Sequence, residues 1–325
     1  MQTRSALLRI TSALERLRMW LIHQQWFSSK LLPAMPRRLR WLARSIYLKP
    51  VDLADRLRGP NGPVAPPRAH NASGSVIDFE ASGSAERGVL GDLAGLTPSS
   101  RVLDVGCGMG RLAAAMSSFL DATGSYDGFD IIPDAIKWCS DNIIGRHDNV
   151  HFWHADVRNG EYNPQGKIEA VEFRFPFNDE SFDLVVLDSV FTHMLPTDME
   201  HYLGEITRVL KPGGKCFATY YLLTEETRKL MLLKDSTVNF KQHFGSYSVT
   251  SAKVPELAVG YDERYIEELY AQFGLTSERH PGFWCGQQSR WSPDSRTGLQ
   301  DVLVAMKPGS SAKMPQRKFV QSRND

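Results

Sequence analysis

Cysteine is scarce in this chain: four in 325 residues, at Cys107, Cys139, Cys216 and Cys285, with no CxxC pair among them. That spacing argues against a disulfide framework and a cysteine-built zinc site, and it fits reduced cytosolic thiols. Long apolar runs are missing too. None approaches the ~18 residues that a membrane span needs. Arginines interrupt every apolar stretch near the start, which does not read as a secretory signal. There is no internal repeat. Net charge is almost absent, at +1.

The near-zero charge hides an asymmetry. Residues 1–49 hold ten Lys/Arg and a single acid, Glu15, so this leader is strongly basic and the remainder mildly acidic. Leu7, Ile10, Leu14, Leu17 and Leu21 recur at helical steps, with Arg9, Arg16 and Arg18 off that stripe. The pattern predicts an amphipathic helix over residues 5–22. A second basic helix is expected from Arg37 to Leu48, with Trp41 in it. Three readings of the leader stay open: contact with an anionic membrane surface, packing on the body as extra helices, or an organelle-targeting address. "RGPNGPVAPPRAHNASGS", Arg58 to Ser75, reads as a loop or linker, and the polar end from Pro308 as a disordered tail. The expected organisation is a helical extension over 1–58, a linker over 59–75, a large domain over 76–307 and a tail over 308–325. With 42% hydrophobic residues the chain can build a large core without staples.

In the domain, strand and helix alternate. "RVLDV" from Arg101, "YDGFDI" from Tyr126, "VHFWHA" from Val150, "FDLVVLDSVF" from Phe182 and "KCFATYYLL" from Lys215 read as strands. Leu112, Met116 and Leu120 mark the first intervening helix, and Pro133 opens the second. Thr197 with Glu200 reads as a capping box for a helix that buries Met199, Tyr202, Leu203, Ile206 and Leu210 and stops at "KPGG". A further helix over Asp262–Phe273 precedes two late strands, Leu275–Phe283 and Leu299–Met306. Such alternation predicts an α/β fold with a parallel sheet covered on both faces, and a ligand beyond the carboxyl ends of the strands where their order reverses.

The first strand runs into "VLDVGCGMGRLA", Val102 to Ala113. Gly106, Gly108 and Gly110 fall in the turn to the next helix, where glycine permits positive φ and close backbone approach. The spacing is G-x-G-x-G, and Arg111 takes the place of the third glycine of a dinucleotide fingerprint. Asp104 stands two residues before the first glycine, where it would repel a phosphate but suit a cation. Three more acids end strands: Asp130, Asp156, and Asp188 beside Ser189. A ligand with ribose, adenine and a cationic amino-acid tail fits this set, and S-adenosylmethionine is such a ligand.

"VLDVGCGMGRLA", "YDGFDIIPDAIKWC", "WHADV", "FPFNDESFDLVVLDSVFTHMLP" and "RVLKPGGKCFATYYLL" together resemble the successive motifs of class I S-adenosylmethionine-dependent methyltransferases. The resemblance covers Phe79 to Lys307. It implies a Rossmann-like, seven-stranded, mostly parallel sheet whose last strand is antiparallel. It also implies that Asp104, Gly106, Cys107, Gly108 and Gly110 line the methionine part, that Asp130 and Ile131 hold ribose and adenine, that Asp156 and Val157 bracket the adenine, and that Asp188 and Ser189 lie near the amino end and the sulfonium.

Methyl transfer to an alcohol needs a base, and the candidate is His193 in "DSVFTHML". Sugar and natural-product O-methyltransferases of the superfamily often carry a histidine there; a packing role for His193 is the competing reading. His151 and His154 are three apart on a strand and point to opposite faces, so no metal is expected. "FWCGQQSRW", Phe283 to Trp291, is either a wall of the acceptor pocket or sheet-edge packing. After the fourth strand the text is "DSVF", without the proline pair of amino-methylating nucleic-acid enzymes, and no nucleophilic cysteine stands nearby. Nucleic acid is therefore disfavoured. The expectation is a cytoplasmic, peripheral O-methyltransferase for a small-molecule acceptor such as a sugar or glycolipid. An N-methyltransferase and a non-catalytic, membrane-tethered scaffold are the alternatives. The segment from Leu222 to Tyr261 is expected to build acceptor specificity.

Overall fold

The computed structural model describes residues 79–143, 148–233, 238–287 and 299–309, with the single residues 39, 66 and 236. Apart from Leu39 and Pro66, both leader helices and the linker lie outside the described residues, as do residues 310–325 and residues 288–291 of the expected pocket wall. The chain divides into two compact units, Met1–Glu80 and Ala81–Asp325.

The second unit is built on a seven-stranded sheet in the order β10-β11-β5-β4-β1-β2-β3. Its strands are β1 (Arg101–Val105), β2 (Ser125–Asp130), β3 (Val150–His154), β4 (Phe182–Leu187), β5 (Leu210–Tyr220), β10 (Thr276–His280) and β11 (Asp301–Met306). β1 to β5 run parallel, and β11 runs antiparallel to both β5 and β10. The expected α/β, Rossmann-like sheet is present, with the antiparallel strand inserted one place from the edge. Strand order reverses between β1 and β4, which opens a crevice at their carboxyl ends.

Helices α1 (Phe79–Val89), α2 (Arg111–Ser117), α3 (Pro133–Asn142), α4 (Pro196–Val209) and α6 (Glu263–Gln272) accompany this sheet. Two cores follow from the strand alternation. Leu103, Val105, Val185, Leu187, Cys216 and Ala218 face one way and pack with Met199, Leu203, Ile206, Ile266 and Leu269 of α4 and α6. Val102, Leu184, Val186 and Phe217 face the other way and pack with Leu112, Met116 and Cys139 of α2 and α3. Near-continuous apolar strands are what a sheet buried on both faces requires.

Three local expectations are corrected. α4 begins at Pro196 with Leu195 as its N-cap and no side-chain cap, so Thr197 and Glu200 form no capping box. With Pro196 already the first helical residue, Thr197 stands inside the helix and cannot serve as its cap, and Glu200 instead accepts from the Tyr265 hydroxyl at 2.7 Å. The fifth strand starts at Leu210, paired with Phe182, rather than at Lys215. "KPGG" is absorbed as an irregularity within β5 and held by Gly213 N–H on Lys307 O (2.8 Å) and Lys307 N–H on Gly214 O (2.9 Å). α2 ends at Ser117, which leaves Leu120 beyond it.

The segment after β5 folds as a second, four-stranded sheet. Its strands are β6 (Leu222–Leu223), β7 (Gln242–His243), β8 (Tyr247–Val249) and β9 (Val259–Asp262), in the order β6-β9-β8-β7. Helix α5 (Glu225–Leu232) follows β6 and carries a capping box of Thr224 and Thr227. Tyr221, Leu223, Phe240, Trp284 and Cys285 form a small core of their own. The junction to the main sheet is Asp301, fully buried at the start of β11. Its carboxylate accepts from Leu222 N (3.0 Å), Gly282 N (3.0 Å), Trp284 Nε1 (2.8 Å) and Gln287 Nε2 (2.9 Å).

Candidate active site

The turn from β1 to α2 is shaped by the protein's own packing. Gly106 (φ 75°) and Gly110 (φ 74°) are left-handed. A Cβ on Gly106 would stand 2.6 Å from Val190 Cγ2, and one on Gly110 would stand 2.5 Å from Ile143 Cδ1. Any side chain there is excluded both by backbone conformation and by space. Gly108 donates its N–H to Asp130 Oδ2 at 2.8 Å, while Asp130 Oδ1 accepts from Ile132 N at 2.8 Å. The acid that ends β2 thus clamps the glycine turn from below and still has acceptor capacity on both oxygens. Cys107 is buried against Gly128, and burial pushes its thiol up, so it is inert packing.

Acids crowd this end of the sheet. Asp104, 5% exposed, accepts from the Tyr126 hydroxyl at 2.5 Å. Burial pushes its carboxyl up to about 7, against the Tyr126 bond, which lowers it. Glu86 of α1, also buried, is pushed up to about 8 by burial, against the pull of Arg111. Arg111 bridges Glu86 Oε2 at 3.0 Å and Asp188 Oδ2 at 2.6 Å. Burial opposes its charge, but Glu86 and Asp188 outweigh burial and keep it cationic. The residue in the place of the third glycine is therefore the local counter-ion. Ser189 has φ 63°, a strained conformation for a residue with a side chain. Its N–H bonds Thr219 Oγ1 (2.7 Å) and its hydroxyl donates to Gln300 Oε1 (3.1 Å).

Asp156 and Val157 follow β3. Asp156 is half-buried, with Lys167 Nζ at 3.8 Å, and Val157 is buried and bridged to Ile168. Ile131 packs on the edge of the larger core. His193 closes the turn Phe191–His193 after β4. Its Nδ1 lies 2.9 Å from Glu256 O, and its Nε2 lies 3.3 Å from the Tyr162 hydroxyl. A carbonyl only accepts, so Nδ1 carries the proton and Nε2 holds the lone pair. Burial pushes the imidazole pKa down, against the Glu256 carbonyl, which raises it. His151 and His154 belong to no metal-ligand cluster, and none occurs among the described residues.

Asp104, Gly106, Gly108, Gly110, Asp130 and Asp188 therefore meet around one turn, and Asp156 and His193 stand on the loops beyond it. Glu86, Tyr126, Tyr162, Thr219 and Gln300 escaped the sequence reading, because no motif spacing ties them to the turn. The donor set suits a ligand with a cationic tail: Glu86, Asp104 and Asp130 are buried and Asp188 partly so, and a single guanidinium, Arg111, pairs with two of the four.

Residues 103–218 match a protein family described as a methyltransferase domain. The ubiquinone/menaquinone biosynthesis C-methyltransferase UbiE of Ectopseudomonas mendocina is 32% identical over 126 residues, 38% of this chain and 43% of that protein. The phthiotriol/phenolphthiotriol dimycocerosates methyltransferase of Mycobacterium leprae is 34% identical over 116 residues, 35% of each chain. The chain spans about half or less of the length of these curated relatives. Among solved structures, the 1,6-didemethyltoxoflavin-N1-methyltransferase of Burkholderia thailandensis, with bound S-adenosylhomocysteine, has 16% identity and a TM-score of 0.43 over 85% of this chain and 91% of that one.

Over residues 103–218 the chain is similar to a methyltransferase domain, and the seven-stranded sheet with its acid-and-glycine turn agrees with a class I, S-adenosylmethionine-dependent arrangement. The cofactor that the family match supports is S-adenosylmethionine.

A pH dependence follows from the buried acids. Glu86 and Asp104 ionise near 4 when unfolded but near 8 and 7 when folded. Between those values the folded protein holds more protons than the unfolded chain, so their contribution to stability falls as pH rises through the window. His193, depressed in the fold, acts in the opposite sense only up to about 6.5. The cofactor-free protein should accordingly melt lower at pH 8.5 than at pH 7, and Glu86→Gln should flatten that slope. S-adenosylmethionine should raise the melting temperature more at pH 8.5. A cofactor-induced shift independent of pH would show that these acids do not sense the ligand.

Proposed function

We propose that the protein transfers the S-adenosylmethionine methyl group to the oxygen of a small-molecule hydroxyl, such as that of a sugar or glycolipid, with His193 as general base. The observation that carries this reading is the His193 tautomer: Glu256 O holds the proton on Nδ1 and leaves Nε2 as an acceptor. Asp130 and Ile131 bind ribose and adenine, Asp156 and Val157 flank the adenine, and Asp104 with the turn Gly106–Gly110 takes the methionine end. Asp188, neutralised by Arg111, and Ser189 border the sulfonium. Bound there, S-adenosylmethionine supplies a methyl group already activated by the sulfonium charge. The protein aligns the acceptor oxygen and takes its proton; alignment contributes on the order of 7–11 kcal/mol.

A second reading is methylation at a ring carbon beside a hydroxyl. It is favoured by the name of the UbiE relative, a C-methyltransferase, and it would use the same base. The full-length protein, given carbon-13 methyl-labelled S-adenosylmethionine and extract from its source cells, should yield products whose label sits on oxygen. Label on carbon selects the second reading, and label on nitrogen overturns the need for a base.

We also propose that residues 1–49 hold the enzyme reversibly on the cytoplasmic face of an anionic membrane. The support is compositional: an apolar stripe flanked by ten Lys/Arg, with Trp20, Trp26 and Trp41. Each basic residue near such a surface contributes about 1 kcal/mol at most. The protein should float with phosphatidylserine vesicles at low salt, and neither with phosphatidylcholine vesicles nor at high salt. Equal flotation with both vesicle types would end the idea.

A further inference from the structure

Tyr162 lies in the loop after β3, a segment that no motif marks. Its hydroxyl is 3.3 Å from His193 Nε2, and the two rings meet edge-on at 87° with centroids 5.0 Å apart. Since Nδ1 carries the imidazole proton, the Tyr162 hydroxyl is the donor and Nε2 the acceptor. The lone pair that would receive an acceptor's proton is thus already engaged.

The pair is held by a clamp. Asn159 Oδ1 accepts from Tyr162 N (3.0 Å) and Glu161 N (3.1 Å), while Asn159 Nδ2 donates to His193 O (2.9 Å). One side chain therefore fixes both the loop bearing the phenol and the turn bearing the imidazole. Reciprocal backbone bonds between Asn159 and Asn163 close that loop. On the far side, Glu256 accepts from Gly160 N (3.3 Å) through its carboxylate and from His193 through its carbonyl. Among the described residues no carboxylate bonds the imidazole, so Tyr162 is the polar side chain paired with its reactive nitrogen.

We propose that Tyr162 is a proton relay through which His193 acts, an inference that rests on the reading of His193 as base. The acceptor hydroxyl gives its proton to the Tyr162 oxygen as the Tyr162 proton passes to His193 Nε2. The freed oxygen pair forms the new O–CH3 bond, and the C–S pair leaves with sulfur, which becomes a neutral thioether. One proton ends on an imidazolium whose Nδ1–H stays on Glu256 O, and it is released to solvent later. Tyr162 ends the cycle neutral.

Two measurements on the full-length protein saturated with S-adenosylmethionine test this. Nitrogen-15 NMR titration of His193 needs no acceptor. The bond to Tyr162 stabilises the neutral ring, so Tyr162→Phe should raise the imidazole pKa by roughly half a unit; an unchanged pKa would overturn the pairing. Methyl transfer from labelled cofactor to 4-nitrophenol, phenol and methyl α-D-glucopyranoside is then compared among wild type, Tyr162→Phe, His193→Ala and the double variant. The relay predicts about a 10–100-fold loss of kcat in Tyr162→Phe, an unchanged cofactor Kd, and less than a twofold further loss when that change is added to His193→Ala. Tyr162→Phe turning over as fast as wild type, or effects that multiply in the double variant, would overturn the relay while leaving the base in place. Full turnover in His193→Ala would instead remove the base reading itself.

Discussion

Replacing His193 by alanine should lower turnover by about 10²–10⁴-fold while leaving cofactor affinity nearly intact. The hydrogen bonds of the imidazole run to Tyr162 and to Glu256, away from the residues of the glycine turn. Loss of the base therefore strikes the proton transfer and spares the binding of S-adenosylmethionine. In the wild type, the rate should rise with pH through the imidazole pKa. Burial holds that value below the ordinary 6.5, so the plateau should be reached before neutrality. Calorimetry with the cofactor and pH-rate profiles of both proteins check the two halves. A variant with unimpaired turnover and a flat profile would return His193 to packing and favour an acceptor that needs no base.

The largest expected effect on stability belongs to Asp301. Substitution by alanine leaves four donors without their acceptor: two backbone N–H groups, the Trp284 indole and the Gln287 amide. Each buried donor left unpaired costs about 1–3 kcal/mol, with part recovered by relaxation. A loss on the order of 3–5 kcal/mol is expected, a large fraction of a typical domain's stability. Asp301→Asn keeps the shape but turns one acceptor oxygen into a donor, so it should rescue only partly. Because these donors flank β6 and the small core around Trp284, the second sheet should loosen before the main one. Urea unfolding followed by tryptophan fluorescence and by far-ultraviolet circular dichroism would show the first signal moving ahead of the second. Coincident curves at wild-type midpoints would mean that the carboxylate holds nothing together.

The main sheet was readable because its strands are buried on both faces. "RVLDV" and "FDLVVL" are apolar enough to be strands with no partner in view; the first carries Asp104 next to its last residue and the second runs straight into Asp188. The acids and glycines at those ends were legible for the same reason: position along a strand fixes position in the crevice. The second sheet was not legible. Its strands are two to four residues long, too short for any period to show, and they exist because β9 pairs with both β6 and β8. Glu86 and Tyr162 were invisible on other grounds. Each matters through one partner, Arg111 or His193, that lies 25 or 31 positions away, and no local pattern records such a pairing. Thr197 and Glu200 misled because a proline one place earlier had already set the helix start.

The insertion of β11 between β5 and β10 sets an order on synthesis. β5 emerges from the ribosome some eighty residues before Asp301–Met306, the strand that covers its free side. Until then a run of buried-type residues, Cys216 to Tyr220, presents an open edge, and β10 has no neighbour in the sheet at all. Open apolar edges recruit other chains. A nascent or truncated chain that stops before residue 301 should therefore be a client for chaperones and prone to clump, even though every residue around the glycine turn has already been made.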